Sequence, residues 1–156
     1  MPTELPAPAR RVRDALHAAG LDIEIVATGA SARTAEEAAA AVGAPVGAIV
    51  KSLVFLSEGQ PVLLLVSGAN RVAAKELGLK RADAEQVRAA TGYAIGGIPP
   101  IAHSTTLHVR CDEDLLTYDV VWAAAGTPDH VFAIAPAELV RVTGAEVGAL
   151  AARPPS

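Results

Sequence analysis

The sequence has little of what defines several protein classes. Its 156 residues include one cysteine, Cys111, so no disulfide can form within the chain and no site built on several cysteines can hold zinc. Aromatic residues make up only 3% and charged residues 19% of the chain. Because hydrophobic residues make up 51%, an intrinsically disordered chain is excluded.

Long hydrophobic runs are also missing. The longest apolar stretches, IVKSLVFL and VVWAAA, are far shorter than the ~20 residues of a membrane helix, so we expect no transmembrane segment. The first residues show no charged-then-apolar leader, which together with the single cysteine predicts a cytoplasmic protein. A chain of this length can bury a sufficient core as one unit, so we expect a single domain over residues 1–156.

The overall charge is weakly acidic. Thirteen basic and 17 acidic side chains give a net charge of −4, so the molecule as a whole does not attract a polyanion. Any contact with nucleic acid must therefore be local. The basic cluster Arg71, Lys75, Lys80 and Arg81 is either a solvated face or a contact for a phosphate backbone.

Hydrophobic spacing and capping signals predict the secondary structure. Helices are expected over residues 6–19, from Thr34 to about Gly43, from Asn70 to Leu77, from Asp83 to about Ala90, after the acidic residues 112–114, and from Pro136 onward. Strands are expected over residues 22–27, 48–56, 61–66, 105–110, 118–124 and 131–134, with the second and third forming a central hairpin. The elements alternate without a strict βαβ rhythm, which favours an α+β fold with a mixed sheet.

Lys51 is the first candidate functional residue. The period of two in the strand AIVKSLVFL places it on one face with Ile49, Leu53 and Phe55. A lysine among aliphatic side chains either extends to solvent or forms a structural ion pair, or else it serves as a fixed donor to an anionic or carbonyl-bearing ligand. The strand pattern leaves both interpretations open.

The stretch TGYAIGGIPPIAH, residues 91–103, is expected to be a shaped loop. Gly96 and Gly97 allow close approach of a ligand to the backbone, and Pro99 and Pro100 stiffen the end of the loop. By itself the pattern is also that of an ordinary tight connection. No Gly-Lys-Ser/Thr comes after the loop, so it is not a Walker loop.

Other catalytic motifs are absent from the sequence. There is no GxGxxG, GxSxG or HExxH, and the histidines at positions 17, 103, 108 and 130 lack the spacing of metal ligands, so we expect no metal. His103 either lines a pocket beside the loop or lies in an exposed turn, and the exposed turn is favoured. The acidic neighbours Asp112 and Glu113 argue against Cys111 as a nucleophile, because they raise the pKa of a thiol.

Several motifs together resemble a known family. VKSLVF comes after a TAEEAAAAVG helix and is succeeded by VLLLVSGANRVAAKELG, TGYAIGGIPPI and AAAGTP in that order. This arrangement, over roughly residues 5–142, resembles the YbaK/EbsC family of aminoacyl-tRNA deacylases, which also occurs as a domain within bacterial prolyl-tRNA synthetases. The resemblance implies a strongly curved mixed sheet flanked by helices.

The resemblance also implies a function. The family comprises trans-editing hydrolases that cleave a wrong amino acid, commonly alanine, cysteine or serine, from the 3′ end of proline tRNA, without a metal, a cofactor or a covalent enzyme intermediate. The family's lysine falls on Lys51, which is expected to hold the 3′ end and polarise the ester. Its substrate-binding loop falls on Gly96, Gly97, Ile98, Pro99 and Pro100, expected to receive the aminoacyl group. Prolyl-tRNA synthetase is an implied partner.

This chain departs from the family at some positions. Pro99 stands where relatives often have serine, and Ala102 where they often have glycine. Val131 and Ala73 align with aspartates of some relatives. The alternatives to an enzyme are a non-catalytic module that binds a nucleotide or an aminoacyl-tRNA end, and a structural or regulatory partner in which Lys51 only closes an ion pair.

Overall fold

The computed structural model describes residues 5–29 and 32–152. These residues form an α+β fold of helices around one mixed sheet. The helices are α1 (Ala7–Ala18), α2 (Ala35–Val42), α3 (Ala84–Thr91) and α4 (Pro136–Thr143), with short 3-10 helices at Val46–Ala48 and Glu113–Thr117. The strands are β1 (Val26–Ala27), β2 (Ile49–Ser57), β3 (Gln60–Ser67), β4 (Leu79–Arg81), β5 (His108–Asp112), β6 (Val121–Ala124), β7 (His130–Ile134) and β8 (Glu146–Gly148).

The sheet mixes parallel and antiparallel pairs, as the sequence predicts. Its strand order is β1-β7-β6-β2-β3-β5-β8, with β4 pairing separately with β2. The pairs β2/β3, β2/β4, β6/β7 and β1/β7 are antiparallel, whereas β2/β6, β3/β5 and β5/β8 are parallel. The hairpin of β2 and β3 therefore lies at the centre of the sheet, which confirms its predicted position.

Local signals define the ends of the helices. The Thr34 side chain accepts from the amide of Glu37 while the Glu37 carboxylate accepts from the amide of Thr34, a reciprocal capping box at the start of α2. The same arrangement of Asp83 and Gln86 begins α3. Gly43 ends α2 with φ of 69°, a left-handed conformation that a glycine adopts without steric cost. These bounds agree with the predicted helices.

The core lies against the central hairpin. Four consecutive residues of β3, Leu63 to Val66, have no exposed surface. One face of the hairpin packs with α1, the 91–103 loop and β6, where Leu16, Ile98 and Ala123 are buried. Burial of both faces explains why β2 and β3 read as nearly continuous apolar runs.

Two predicted elements are wrong. Residues 70–77 do not form a helix: the chain is irregular up to residue 73 and forms a turn over residues 74–78, and the Asn70 side chain binds Asp112 and Asp114 instead of capping a helix. Val72 also makes an isolated bridge to Ala151, which holds the segment extended at its start. The strand predicted over residues 22–27 is reduced to Val26–Ala27, since only these two residues pair with β7.

The edge of β2 that faces β6 and β4 is only partly paired. β6 pairs with Ile49 and Val50, and β4 pairs with residues 55–57. Between these two ladders, no strand among the described residues pairs with residues 51–54 on this edge. We call this stretch, residues 51–54, the β2 gap. At ~3.3 Å per residue, the five steps from position 50 to position 55 span about 16 Å.

None of the helices that the described residues form is long and apolar enough to cross a membrane.

Candidate functional site

A cavity of about 540 Å³ opens at the β2 gap. Residues 51–54 line it, together with residues from the start of α2, from β6 and from the 91–103 loop. The loop side is mostly apolar, with Val50, Val54, Val87, Ile98 and Ala123. A cavity of this size with an apolar wall and a few polar groups is typical of a small-molecule site.

Lys51 lines this cavity and is half-buried. Its ammonium group donates a hydrogen bond to the main-chain carbonyl of Asn70. Burial lowers the pKa of Lys51 below its ordinary value, because an ammonium loses hydration in a protein interior. The charges nearby partly offset one another: Glu36 and Asp112 raise this pKa, and Arg71 lowers it.

The acceptor of Lys51 is held by a buried network. The Asn70 side-chain amide donates to Asp112 at 2.8 Å and to Asp114 at 2.7 Å. Asp112 is fully buried and also accepts from the amides of Ser67 at 3.1 Å and Asp114 at 3.0 Å. Buried carboxylates are stable when several donors satisfy them. Asn70 thus links this anchor to the lysine.

The structure brings part of the predicted loop to the same cavity. Gly96 and Ile98 line it beside the β2 gap. Gly97, Pro99 and Pro100 are buried and are not among the lining residues. Gly97 packs tightly against the backbone of Thr127, because a Cβ at position 97 would lie 2.9 Å from the Cα of Thr127. Of the five predicted loop residues, two therefore line the cavity and three do not, and Ile95 of the same loop is a further lining residue.

Hydrogen bonds fix the end of the loop. His103 Nε2 lies 2.7 Å from the carbonyl of Pro99, and the Tyr93 hydroxyl donates to the carbonyl of Ala102 at 2.9 Å. His103 is partly buried rather than exposed as expected, and burial lowers its pKa more than the hydrogen bond to Pro99 raises it. Ala102 adopts a φ of 68°, a left-handed conformation unusual for alanine.

Other residues of the cavity were not predicted. Arg33 and Arg81 line it with Lys51, and Glu36 is the one carboxylate among the described lining residues. The cavity thus collects more positive than negative groups in a chain with a net charge of −4. Trp122, the single tryptophan, also lines it. Pairing of β4 and β6 with β2 brings Arg81 and Trp122 here, and this pairing has no local sequence signal.

The remaining candidates lie elsewhere. Cys111 is buried, and burial together with Asp112 raises the pKa of its thiol to about 11, which leaves it unreactive as a nucleophile. Lys75 and Lys80 of the basic cluster are exposed and do not line the cavity. Within residues 5–29 and 32–152, no group of three or more histidine, cysteine, aspartate or glutamate side chains could hold a metal ion.

Comparisons with known proteins identify the family to which this fold belongs. The profile of the aminoacyl-tRNA editing domain matches residues 30–142. The uncharacterized protein YwhH of Bacillus subtilis is 30% identical over 116 residues, which cover 70% of this chain and 74% of YwhH. A proline–tRNA ligase of Latilactobacillus sakei is 33% identical over 119 residues, or 72% of this chain but only 21% of the ligase.

Structural similarity agrees with these matches. The crystal structure of a candidate trans-editing enzyme for prolyl tRNA synthetase superposes with a TM-score of 0.89 at 50% identity. The superposition covers 96% of this chain and 100% of the other. The family profile spans most of the chain, including Lys51 and the 91–103 loop. The resemblance seen in the sequence is therefore confirmed, and the chain belongs to the aminoacyl-tRNA editing domain family.

Proposed function

We propose that this protein is a trans-editing deacylase. It hydrolyses the ester between a mischarged amino acid, namely alanine, cysteine or serine, and the 3′ adenosine of proline tRNA. The observation that carries the proposal is the single cavity shared by Lys51 and the loop residues Gly96 and Ile98, in a chain of the aminoacyl-tRNA editing family. Editing suits such a pocket, because a synthetase discriminates one methylene by only ~1–3 kcal/mol and leaves errors to remove.

Lys51 binds the 3′ end in this proposal. Its ammonium is preoriented by the Asn70 carbonyl, and Arg33 and Arg81 line the same cavity. A positive group fixed in a half-buried site interacts with a phosphate or an ester oxygen more strongly than one in water. Lys51 therefore holds the nucleotide and polarises the ester.

The loop orients the ester carbonyl. Pro99 and Pro100 have no N–H, and the N–H of Gly97 donates to the carbonyl of Ala94 at 3.2 Å. The N–H groups of Gly96 and Ile98 have no main-chain acceptor among the described residues. We assign these two groups as donors to the oxygen that becomes negative in the transition state.

The reaction is a water attack on the ester. The water oxygen bonds to the acyl carbon, the bond from that carbon to the ribose 3′ oxygen breaks, and the water proton passes to the ribose oxygen. The ribose 2′-hydroxyl or the substrate's own side chain assists the transfer. The products are the free amino acid and the uncharged tRNA. Most of the rate gain comes from positioning and electrostatics rather than from a strong side-chain base.

Selection of the tRNA calls for a partner. The chain has a net charge of −4, so the molecule as a whole does not attract tRNA, and the cavity supplies only the local positive charges of Arg33, Lys51 and Arg81. We propose that prolyl-tRNA synthetase presents the mischarged tRNA. The similarity to part of a proline–tRNA ligase supports this partner, because the same type of domain occurs within that chain.

The test is deacylation of proline tRNA charged with alanine, cysteine, serine or proline. We expect release of one mischarged amino acid, retention of proline, and loss of activity in Lys51→Ala. Lys80→Ala is the matched control, because Lys80 is exposed and lies outside the cavity lining. If no ester is cleaved faster than in buffer, even with the synthetase present, the chain is a binding module and the proposal is wrong.

A further inference from the structure

In the described part of the chain, the β2 gap leaves main-chain groups without partners inside the cavity. The main-chain carbonyl of Ile49 accepts a hydrogen bond from the amide of Gly68, which directly follows β3. The main-chain groups of Ile49 therefore point toward β3. In an antiparallel pair, hydrogen-bonding residues alternate along the strand. Residues 51 and 53 therefore bond to β3, and residues 50, 52 and 54 turn their N–H and C=O groups toward the other edge.

Ser52 is at the centre of this unpaired edge. Val50 is paired with β6, and the ladder of β4 begins at Phe55. No described strand pairs with Ser52 on this side, so its main-chain carbonyl faces the cavity that it lines. A main-chain carbonyl away from bulk water normally has a donor. This carbonyl lacks one from the described part of the fold.

The Ser52 side chain gives a second, independent observation. Its hydroxyl is the one buried side-chain polar atom without a hydrogen-bond partner among the described residues. Such groups are rare in folded proteins, and a functional role is one of the explanations for them. A serine side chain has three staggered rotamers, and a change of rotamer would direct the Ser52 hydroxyl to a ligand beside the β2 gap.

The alternation of the strand separates Ser52 from Lys51. The Lys51 side chain lies on one face of β2 and the Ser52 side chain on the other, whose neighbours are Val50 and Val54. A ligand cation is repelled by the Lys51 ammonium, so it is best held away from that face. The carbonyl and hydroxyl oxygens of Ser52 are acceptors in that place.

We propose that Ser52 binds the α-ammonium group of the aminoacyl ester, with its carbonyl and hydroxyl oxygens as acceptors. This inference rests on the proposed function, because it names the anchor for one end of that substrate. The amino acid then lies in the cavity, between the 91–103 loop and the β2 gap. Its ester is directed to Gly96 and its nucleotide to Lys51. Recognition of an ammonium distinguishes an aminoacyl ester from other acyl esters.

Binding of two amide analogues tests this without requiring catalysis. One is 3′-deoxyadenosine carrying alanine through a 3′-amide, and the other carries lactate, in which a hydroxyl replaces the ammonium. Trp122 reports binding by fluorescence, because it is the single tryptophan and lines the cavity. The intact protein is expected to bind the alanyl analogue on the order of tenfold more tightly, as for a hydrogen bond to a charged group.

Ser52→Ala separates the role of Ser52 from that of the cavity. The variant should lose severalfold of its affinity for the alanyl analogue and little for the lactyl analogue. It should not lower the Tm, because the hydroxyl has no partner to lose in residues 5–29 and 32–152. Ser57→Ala, at the other end of β2 and outside the cavity lining, is the control and should leave both affinities unchanged.

Equal affinity of the intact protein for the two analogues would overturn the proposal. Equal weakening of both by Ser52→Ala would also overturn it, because that result indicates a change of pocket shape only. The analogues are not hydrolysed, so a preserved preference for the alanyl analogue without any deacylation would support the Ser52 site and refute the proposed hydrolysis. Deacylation without the preference would do the opposite.

Discussion

The ammonium of Lys51 donates to the main-chain carbonyl of Asn70, and the Asn70 side chain anchors that carbonyl to two carboxylates. The lysine is therefore oriented by a residue whose own position depends on the buried Asp112. Pre-orientation matters for a site that acts by geometry, since a displacement of about 1 Å in such a site costs up to about a hundredfold in rate.

Asn70→Ala is expected to destabilise the protein and weaken its activity together. The substitution removes two hydrogen bonds to carboxylates and leaves Asp112 with fewer donors, which should cost about 2 kcal/mol of unfolding free energy. Urea unfolding measures this cost, and deacylation at a temperature where the variant is folded measures the effect on Lys51. Thr105→Ala is a control, since the Thr105 hydroxyl bonds the carbonyl of Ala90, which is not part of this network. An unchanged unfolding free energy would contradict the network.

The pH dependence of deacylation should respond to charges near Lys51. Activity needs the protonated lysine and should fall as pH rises through its pKa, which burial lowers. Because Glu36 raises this pKa and Arg71 lowers it, Glu36→Gln should move the alkaline limb of the profile to lower pH. Arg71→Gln should move it to higher pH.

The matched control for these charge changes is Glu85→Gln. Glu85 lies in the first turn of α3 and is not among the lining residues of the cavity. Its substitution should leave the alkaline limb in place. Shifts of Glu36→Gln and Arg71→Gln in the same direction would show that the limb does not report Lys51.

Gly97→Ala tests whether close packing supports the loop. The added Cβ would lie 2.9 Å from the Cα and 3.0 Å from the carbonyl carbon of Thr127, so the backbone must shift. We expect a loss of about 1–3 kcal/mol of stability from this overpacking, and a loss of activity of about tenfold or more as the loop moves. Gly148→Ala meets nothing within 4 Å and should leave both unchanged. Full activity of Gly97→Ala would show that the loop position is not critical.

Ala102→Gly should stabilise the protein. Ala102 has a φ of 68°, where a Cβ costs about 1–2 kcal/mol, and the greater entropy of glycine in the unfolded chain offsets part of the gain. The expected net gain is about 0.5 kcal/mol in unfolding free energy. Ala40→Gly, on the exposed side of α2, should instead cost about 1 kcal/mol. A destabilised Ala102→Gly would contradict the inferred strain.

Elements with local signals could be predicted from the sequence. The capping boxes at Thr34 and Asp83 predict the starts of α2 and α3, because their partners are three residues away. The β2/β3 hairpin is predicted by two apolar runs joined by SEGQ, and its turn places Glu58 and Gly59 at φ of 50° and 79°. These features depend on neighbouring residues only.

Elements that depend on distant partners could not be predicted. Asn70 resembles a helix cap, but the carboxylates that bind it lie 42 and 44 residues further along the chain. β4 and β8 are three residues each and are strands only because β2 and β5 pair with them. A capping residue alone does not make a helix when stronger acceptors are available elsewhere.

The candidate site likewise has residues that the sequence predicts and residues that only the folded structure reveals. The strand alternation and the Gly/Pro pattern mark Lys51 and the 91–103 loop as candidates, the resemblance to the family assigns their roles, and the structure brings Lys51, Gly96 and Ile98 to one cavity. Ser52 is next to Lys51 in the sequence but gives no signal there, since a serine in a strand is ordinary. It becomes a candidate only in the folded structure, where no described strand pairs with it on one edge of β2 and its buried hydroxyl has no hydrogen-bond partner among the described residues.

The β2 gap also bears on self-association. An unpaired strand edge usually templates the addition of a strand from another molecule, and exposed edges are common sites of aggregation. Here the open stretch is four residues long, with β6 paired at one end and β4 at the other. A strand from a second molecule would have to fit between β6 and β4 to pair with this stretch. The backbone groups of this stretch are thus accessible to a small ligand, while the flanking strands hinder the addition of a strand from another molecule.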